Sequence, residues 1–201
     1  MKKRVKQHVR RQKSDAALKS AAAKIISREG YNAVTFERIG EVSGYSRTLA
    51  SQKYGSKDGL ILELLKSIVQ ASSEKFEARM TLTADPLAKI QGYTDEMLQT
   101  VGEDFLSAYF VIMADAVANR QPAQQFFKDR HLAVRDKLAE LITRGQEEGV
   151  IDNDLDPDSA ALLIGSFQLG IAVHYLLAPD TDMSSFAITA RKLFLKALSS
   201  P

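Results

Sequence analysis

The chain contains no cysteine, which excludes disulfides and thiolate metal sites and suits a reducing compartment such as the cytoplasm. Histidine is almost as scarce. His8, His131 and His174 stand too far apart for metal-ligand spacing, so neither a metal nor a cofactor is expected. No G-x-x-x-x-G-K loop, H-E-x-x-H pair or G-x-S-x-G elbow occurs, and these absences argue against an enzyme. The charged amino terminus is not followed by an apolar segment, so a secretory leader is not expected. Internal repeats and low-complexity tracts are missing as well.

What is present is a lopsided charge. Residues 1–60 carry 14 Lys/Arg against 5 Asp/Glu, whereas residues 61–201 carry 13 against 20. The first part is built to meet a polyanion and the second is not. Within residues 1–14 the basic side chains Lys2, Lys3, Arg4, Lys6, Arg10, Arg11 and Lys13 have no acidic neighbour, so self-repulsion predicts a flexible basic arm. Such an arm can follow phosphates or enter a minor groove. With 201 residues and 45% apolar content, one large or two small domains can be packed.

From Asp15 to Glu29, Leu18, Ala21, Ala22, Ile25 and Ile26 recur at helical spacing, and Gly30 supplies the stop. The stretch TFERIGEVSGYSRTLASQKYGSK, Thr35 to Lys57, follows. Thr35 can cap a short helix that buries Phe36, Ile39 and Val42; Gly44 ends it, and Ser46 can cap a second helix from Arg47 to about Lys53. Two short helices joined by a turn with glycine form a helix-turn-helix, with Gly40 as a close-approach position. In the second helix Leu49 is the apolar anchor, and Arg47, Thr48, Ser51, Gln52 and Lys53 face outward. Arg and Gln side chains can bond guanine and adenine edges bidentately, although a solvated helix face would read the same in isolation. Ser56 can cap a third helix whose start, with Lys57, suits a phosphate.

The run EGYNAVTFERIGEVSGYSRTLASQKYGSKDGL resembles the DNA-binding domain of TetR-family transcriptional repressors, closely over about the first sixty residues and in architecture beyond them. An aromatic residue is common in that family near Ser51 and Gln52, and glycine is frequent where Thr48 stands; this chain differs at both places. The resemblance implies an all-α protein, with a three-helix helix-turn-helix domain at 15–60 and a larger helical ligand-binding and dimerisation domain at 61–201. It makes Thr35, Ser46, Arg47, Thr48, Ser51, Gln52, Lys53, Tyr54 and Lys57 the candidate DNA-binding residues.

Farther along, Leu60, Ile61, Leu64, Leu65, Ile68 and Val69 mark an amphipathic helix to about Met80, a natural coupling rod between an effector site and the reading helix. Phe105 to Val117 is apolar nearly all round, which predicts a buried helix, and a helix from Pro122 to about Glu148 follows it. A plain core is one reading of their aromatic and methionine residues. The resemblance implies a cavity here for a small apolar or aromatic effector, with Phe105, Tyr109, Met113, Phe127, His131, Phe167 and His174 as candidate lining. The aspartates of 152–158 lack the glycine and closing glutamate of a calcium loop and are read as caps and solvated groups.

Ala160 to Ala178 has no charge and is long enough to span a membrane, but Asp156, Asp158, Asp180 and Asp182 at its flanks argue against a span. A helix this apolar needs cover on both sides, so a homodimer through residues 158–198 is expected, which includes a last helix at about Met183 to Leu198. The resemblance implies the same interface. The expected function is a cytoplasmic DNA-binding transcriptional regulator, a repressor that an effector releases from a pseudo-palindromic operator. The alternative is a small-molecule-binding or scaffolding dimer whose helix-turn-helix contacts protein.

Overall fold

A computed structural model describes residues 2–100, 103–119 and 122–200, with side chains at all of these except 2–6, 79–80 and 97–100. Among the described residues there are nine α-helices, one 3-10 turn at Tyr31–Ala33, and a single isolated bridge between Ile151 and Ser199. The helices are α1 Lys2–Glu29, α2 Phe36–Ser43, α3 Arg47–Tyr54, α4 Lys57–Met80, α5 Pro86–Thr100, α6 Asp104–Asn119, α7 Ala123–Glu147, α8 Pro157–Leu177 and α9 Met183–Leu198. The all-α expectation is met.

Contacts divide the chain into one unit of residues 1–69 and 103–126 and another of residues 70–102 and 127–201. This departs from the sequence-based ranges 15–60 and 61–201. The reason is α6, which packs on α1 and buries Ala108, Ile112 and Ala116 within the first unit. That unit's core also takes Leu18, Ile25 and Ile26 from α1, Ile39 from α2, Ala50 from α3, and Leu60, Ile61, Leu64 and Leu65 from α4. In the second unit Ile90, Leu138, Ile142, Ile151, Ala160, Ala161, Ile164 and Leu198 form one cluster.

Two expectations about local structure are corrected. Residues 2–14 are not a flexible arm but the first turns of α1. Lys, Arg and Gln are good helix formers, and no glycine or proline interrupts the run, so the packed part of α1 extends into it. Ser14 is buried there and its hydroxyl donates to the Arg11 carbonyl at 2.9 Å. Met1 and the side chains of Lys2, Lys3, Arg4 and Lys6 lie outside the description, while Arg10, Arg11 and Lys13 are exposed. The second correction concerns packing: Val42 is exposed and Ala50 is fully buried. Six residues at 100° each carry Val42 well off the Phe36 face.

Caps fall where the side chains predict them. Asp156 accepts from the Ser159 amide at 2.8 Å, and Asp182 from the Ser184 amide at 3.0 Å. Pro86 opens α5, and Gly149 takes φ 71° beyond the end of α7.

Candidate nucleic-acid interface

The helix-turn-helix is assembled from four local signals. Thr35 Oγ1 accepts from the Arg38 amide at 3.1 Å and starts α2. Gly44, at φ 74°, ends it in the left-handed region. Ser46 Oγ accepts from the Leu49 amide at 3.2 Å and starts α3. Ser56 Oγ accepts from the Gly59 amide at 3.0 Å at the head of α4. A Cβ on Gly40 would lie 2.9 Å from the Tyr45 carbonyl oxygen, so the turn can close only over glycine, as expected.

The nine candidate residues separate into two sets. Thr35, Ser46, Arg47, Thr48 and Gln52 are exposed, and half-buried Ser51 donates to the Thr48 carbonyl at 3.2 Å. Lys53, Tyr54 and Lys57 each hold a partner within the head: Tyr54 is on the packing side, and Lys53, read as outward-facing, is drawn toward α1. Lys53 Nζ lies 2.5 Å from Asp15 Oδ1, and the Tyr54 hydroxyl donates to the same oxygen at 2.8 Å. Lys57 Nζ donates to the Tyr31 carbonyl at 2.7 Å and sits 4.0 Å above that ring.

Charge in this inner layer is balanced by geometry. Burial would raise the Asp15 carboxyl, but hydrogen bonds from Lys53, Tyr54 and Lys19 outweigh it and hold it below the ordinary carboxylate range. Burial, then the Asp15 carboxylate, pushes the Tyr54 hydroxyl upward. Burial lowers Lys57 against the pull of Asp115 and Asp58, and Tyr31 is raised to about 12 by burial and the same two acids. Asp15 therefore ties the end of the reading helix to α1. It was missed as a functional residue; the one signal was its place as the first acid after seven basic residues. Glu37 was missed too, and its carboxylate lies 2.6 Å from Arg47 Nη1.

Residues 18–64 match the family model described as bacterial regulatory proteins, tetR family. The chain is 25% identical over 139 residues, 68% of each chain, to the HTH-type transcriptional repressor KstR2 of Mycobacterium tuberculosis (strain CDC 1551 / Oshkosh). Over residues 18–64 the chain is thus similar to the tetR family of bacterial regulatory proteins. Similarity to regulatory proteins agrees with the expectation of a non-enzyme. The chain shares its fold with a putative transcriptional regulator from Saccharomonospora viridis solved with choline. That match has TM-score 0.83 and 19% identity, covering 94% of this chain and 100% of that one. AibR, solved with isovaleryl coenzyme A and operator DNA, aligns with TM-score 0.75 and 16% identity over 90% and 97% of the two chains.

The effector candidates of the regulator fall in both units. Phe105, Tyr109 and Met113 lie on α6 in the first, and Phe127, His131, Phe167 and His174 in the second. Phe127 is buried and His131 exposed on α7. Phe167 is enclosed by α9, stacked on Phe186 at 5.9 Å and edge-on to Phe194 at 4.6 Å. His174 is exposed on α8, its ring 3.3 Å from the Thr181 hydroxyl. Phe167 thus packs against α9, and His174 lies on the exposed surface of α8.

Burial and then the nearby Arg130 charge hold the His131 imidazole below its ordinary value. A depressed histidine contributes stability that is complete above the unfolded value of about 6.5 and is lost as pH falls toward the folded one. The regulator should accordingly melt at a lower temperature at pH 5.5 than at pH 7.5. His131→Gln should flatten that difference in a pH series of thermal melts.

On α8 one face buries Ala160, Ala161, Ile164, Ile171 and Ala172, while the other exposes Leu162, Leu163, Val173 and Leu177. Leu163 is 68% and Leu177 80% exposed. Ile188 and Leu193 of α9 are exposed as well. By length and composition α8 could cross a membrane. A stripe of exposed leucines beside a packed face is instead the pattern of a helix that still awaits one partner.

Proposed function

We propose that the protein is a homodimeric, sequence-specific transcriptional repressor of the cytoplasm, released from a pseudo-palindromic operator by a small apolar or aromatic effector. The observation that carries this is the outward face of α3: Ser46, Arg47, Thr48 and Gln52 stand exposed on a head whose other side is packed over Ala50 and Ile39. Arg47 and Gln52 are assigned to base edges, with Thr35, Ser46, Thr48 and Ser51 beside them. Lys53, Tyr54 and Lys57 position α3 and the start of α4. Exposed Arg10, Arg11 and Lys13 on the extension of α1 supply phosphate attraction.

The dimer uses the exposed faces of α8 and α9, and two reading helices would address major-groove faces about 34–36 Å apart. Phe105, Tyr109 and Met113 of α6 are assigned to the effector. The same fold with choline, and with isovaleryl coenzyme A plus operator DNA, supports a ligand-responsive reader. Differential affinity of the effector for two states of the dimer would drive release.

The test is selection of bound duplexes from a random library, followed by salt titration. Arg47→Ala and Gln52→Ala should each relax selection at one base position, at a cost of roughly 1–3 kcal/mol. Unchanged selection in both variants would remove α3 from base reading. An affinity indifferent to salt between about 50 and 200 mM would favour a protein-binding helix-turn-helix instead.

A further inference from the structure

The reading helix α3 holds two cations, and each is paired with an acid on a different helix: Lys53 with Asp15 of α1, and Arg47 with Glu37 of α2. The two pairs differ in what they leave over. Lys53 is drawn inward, its side chain 30% exposed, while the Arg47 side chain remains 68% exposed. From this geometry we infer that Glu37 is a specificity-determining residue, which holds Arg47 in position to read a guanine edge and disfavours its use on phosphates. The inference deepens the base-reading assignment above and rests on it.

Three observations support the role. First, Glu37 is carried by a rigid element, since α2 is capped by Thr35 and anchored by fully buried Ile39. Second, the pair takes only Nη1 of Arg47, so the Nε–Nη2 edge, two parallel N–H groups, has no partner among the described residues. That fork matches the O6 and N7 acceptors of guanine. Third, the neighbouring Arg38 shows what a purely structural arginine looks like here. Its Nε and Nη2 donate to Glu29 at 3.3 and 2.9 Å, and its Nη1 to Glu41 at 2.9 Å, which spends every nitrogen.

An ion pair this exposed adds little to stability. Its effect lies in order and in sign. Holding a long, flexible side chain in one orientation reduces the entropy lost when the base contact forms. The Glu37 carboxylate also repels a phosphate approaching Arg47, whereas the guanine edge it leaves open is uncharged. The pair thus trades sequence-independent attraction for discrimination, and the basic residues of α1 carry the former.

The experiment compares the native full-length protein with Glu37→Gln, Arg47→Ala and the double variant, by duplex selection and by salt titration of binding. Thermal melts check that each variant is folded. In Glu37→Gln the preference for guanine at the Arg47 position should fall about tenfold. Affinity for unrelated duplex should rise, and the slope of log affinity against log salt should steepen by about 0.9 for each added phosphate contact. Glu37→Gln should change nothing further in the Arg47→Ala background. If the native protein selects a sequence and Glu37→Gln selects it equally well with the same slope, or if its effect persists without Arg47, the buttress is overturned while the reading helix stands. If the native protein binds no duplex, the base-reading assignment fails and takes this inference with it.

Discussion

Leu163→Glu should give a folded monomer that no longer holds its operator. Leu163 projects into solvent from α8, and the same residue on a second copy would meet the same interface under two-fold symmetry. Burying one leucine side chain contributes roughly 1.5–3 kcal/mol, and symmetry counts it twice. Replacing it with a carboxylate adds a desolvation cost, so self-association should weaken at least about 100-fold. Operator affinity should fall with it, because two tethered heads bind far better than one. Leu193→Glu on α9 should act in the same direction. Leu82→Glu is the control, since Leu82 is more exposed still but lies outside both helices. Sedimentation velocity at micromolar concentration decides the matter, and a Leu163→Glu protein that remains dimeric would remove α8 from the interface.

Gly59→Ala should damage the head most among the glycine substitutions of the first unit. An alanine Cβ at 59 would lie 2.3 Å from the Tyr54 carbonyl oxygen, a backbone atom that already accepts from the Ser56 amide at 2.8 Å. Neither group can swing away as a side-chain tip could. The turn between α3 and α4 would have to open, loosening the Asp15 ties to Lys53 and Tyr54. Overpacking of this kind costs roughly 3 kcal/mol. For a chain of this size that lowers the melting temperature by about 6–12 °C. Gly40→Ala, with its nearest backbone oxygen at 2.9 Å, should cost less. Equal melting temperatures for Gly59→Ala and the native protein would show that the turn has room.

Features governed by neighbours along the chain were legible from residues alone. Thr35, Ser46 and Asp156 cap helices because a side-chain oxygen next to unpaired amides has few better partners. Gly44 and Gly149 fall at left-handed turns for the same local reason. The outward set of Arg47, Thr48 and Gln52 was likewise legible, because helical period and polarity agreed there. The partners of Lys53, Tyr54 and Lys57 were not legible, since Asp15 and Tyr31 lie 26 to 39 positions away. The basic arm was misjudged: repulsion was weighed, but helix propagation from the packed part of α1 was not.

Amino-acid order alone was enough for helix content, capping, the two-helix reading element and the apolar strip of α8. Those depend on spacing within a turn or two of helix. Folding in three dimensions settled which acid restrains which cation, whether Phe167 turns toward α9, and that α6 sits on α1. Such pairings join residues far apart along the chain, and periodicity names the face a helix will bury without naming what will cover it.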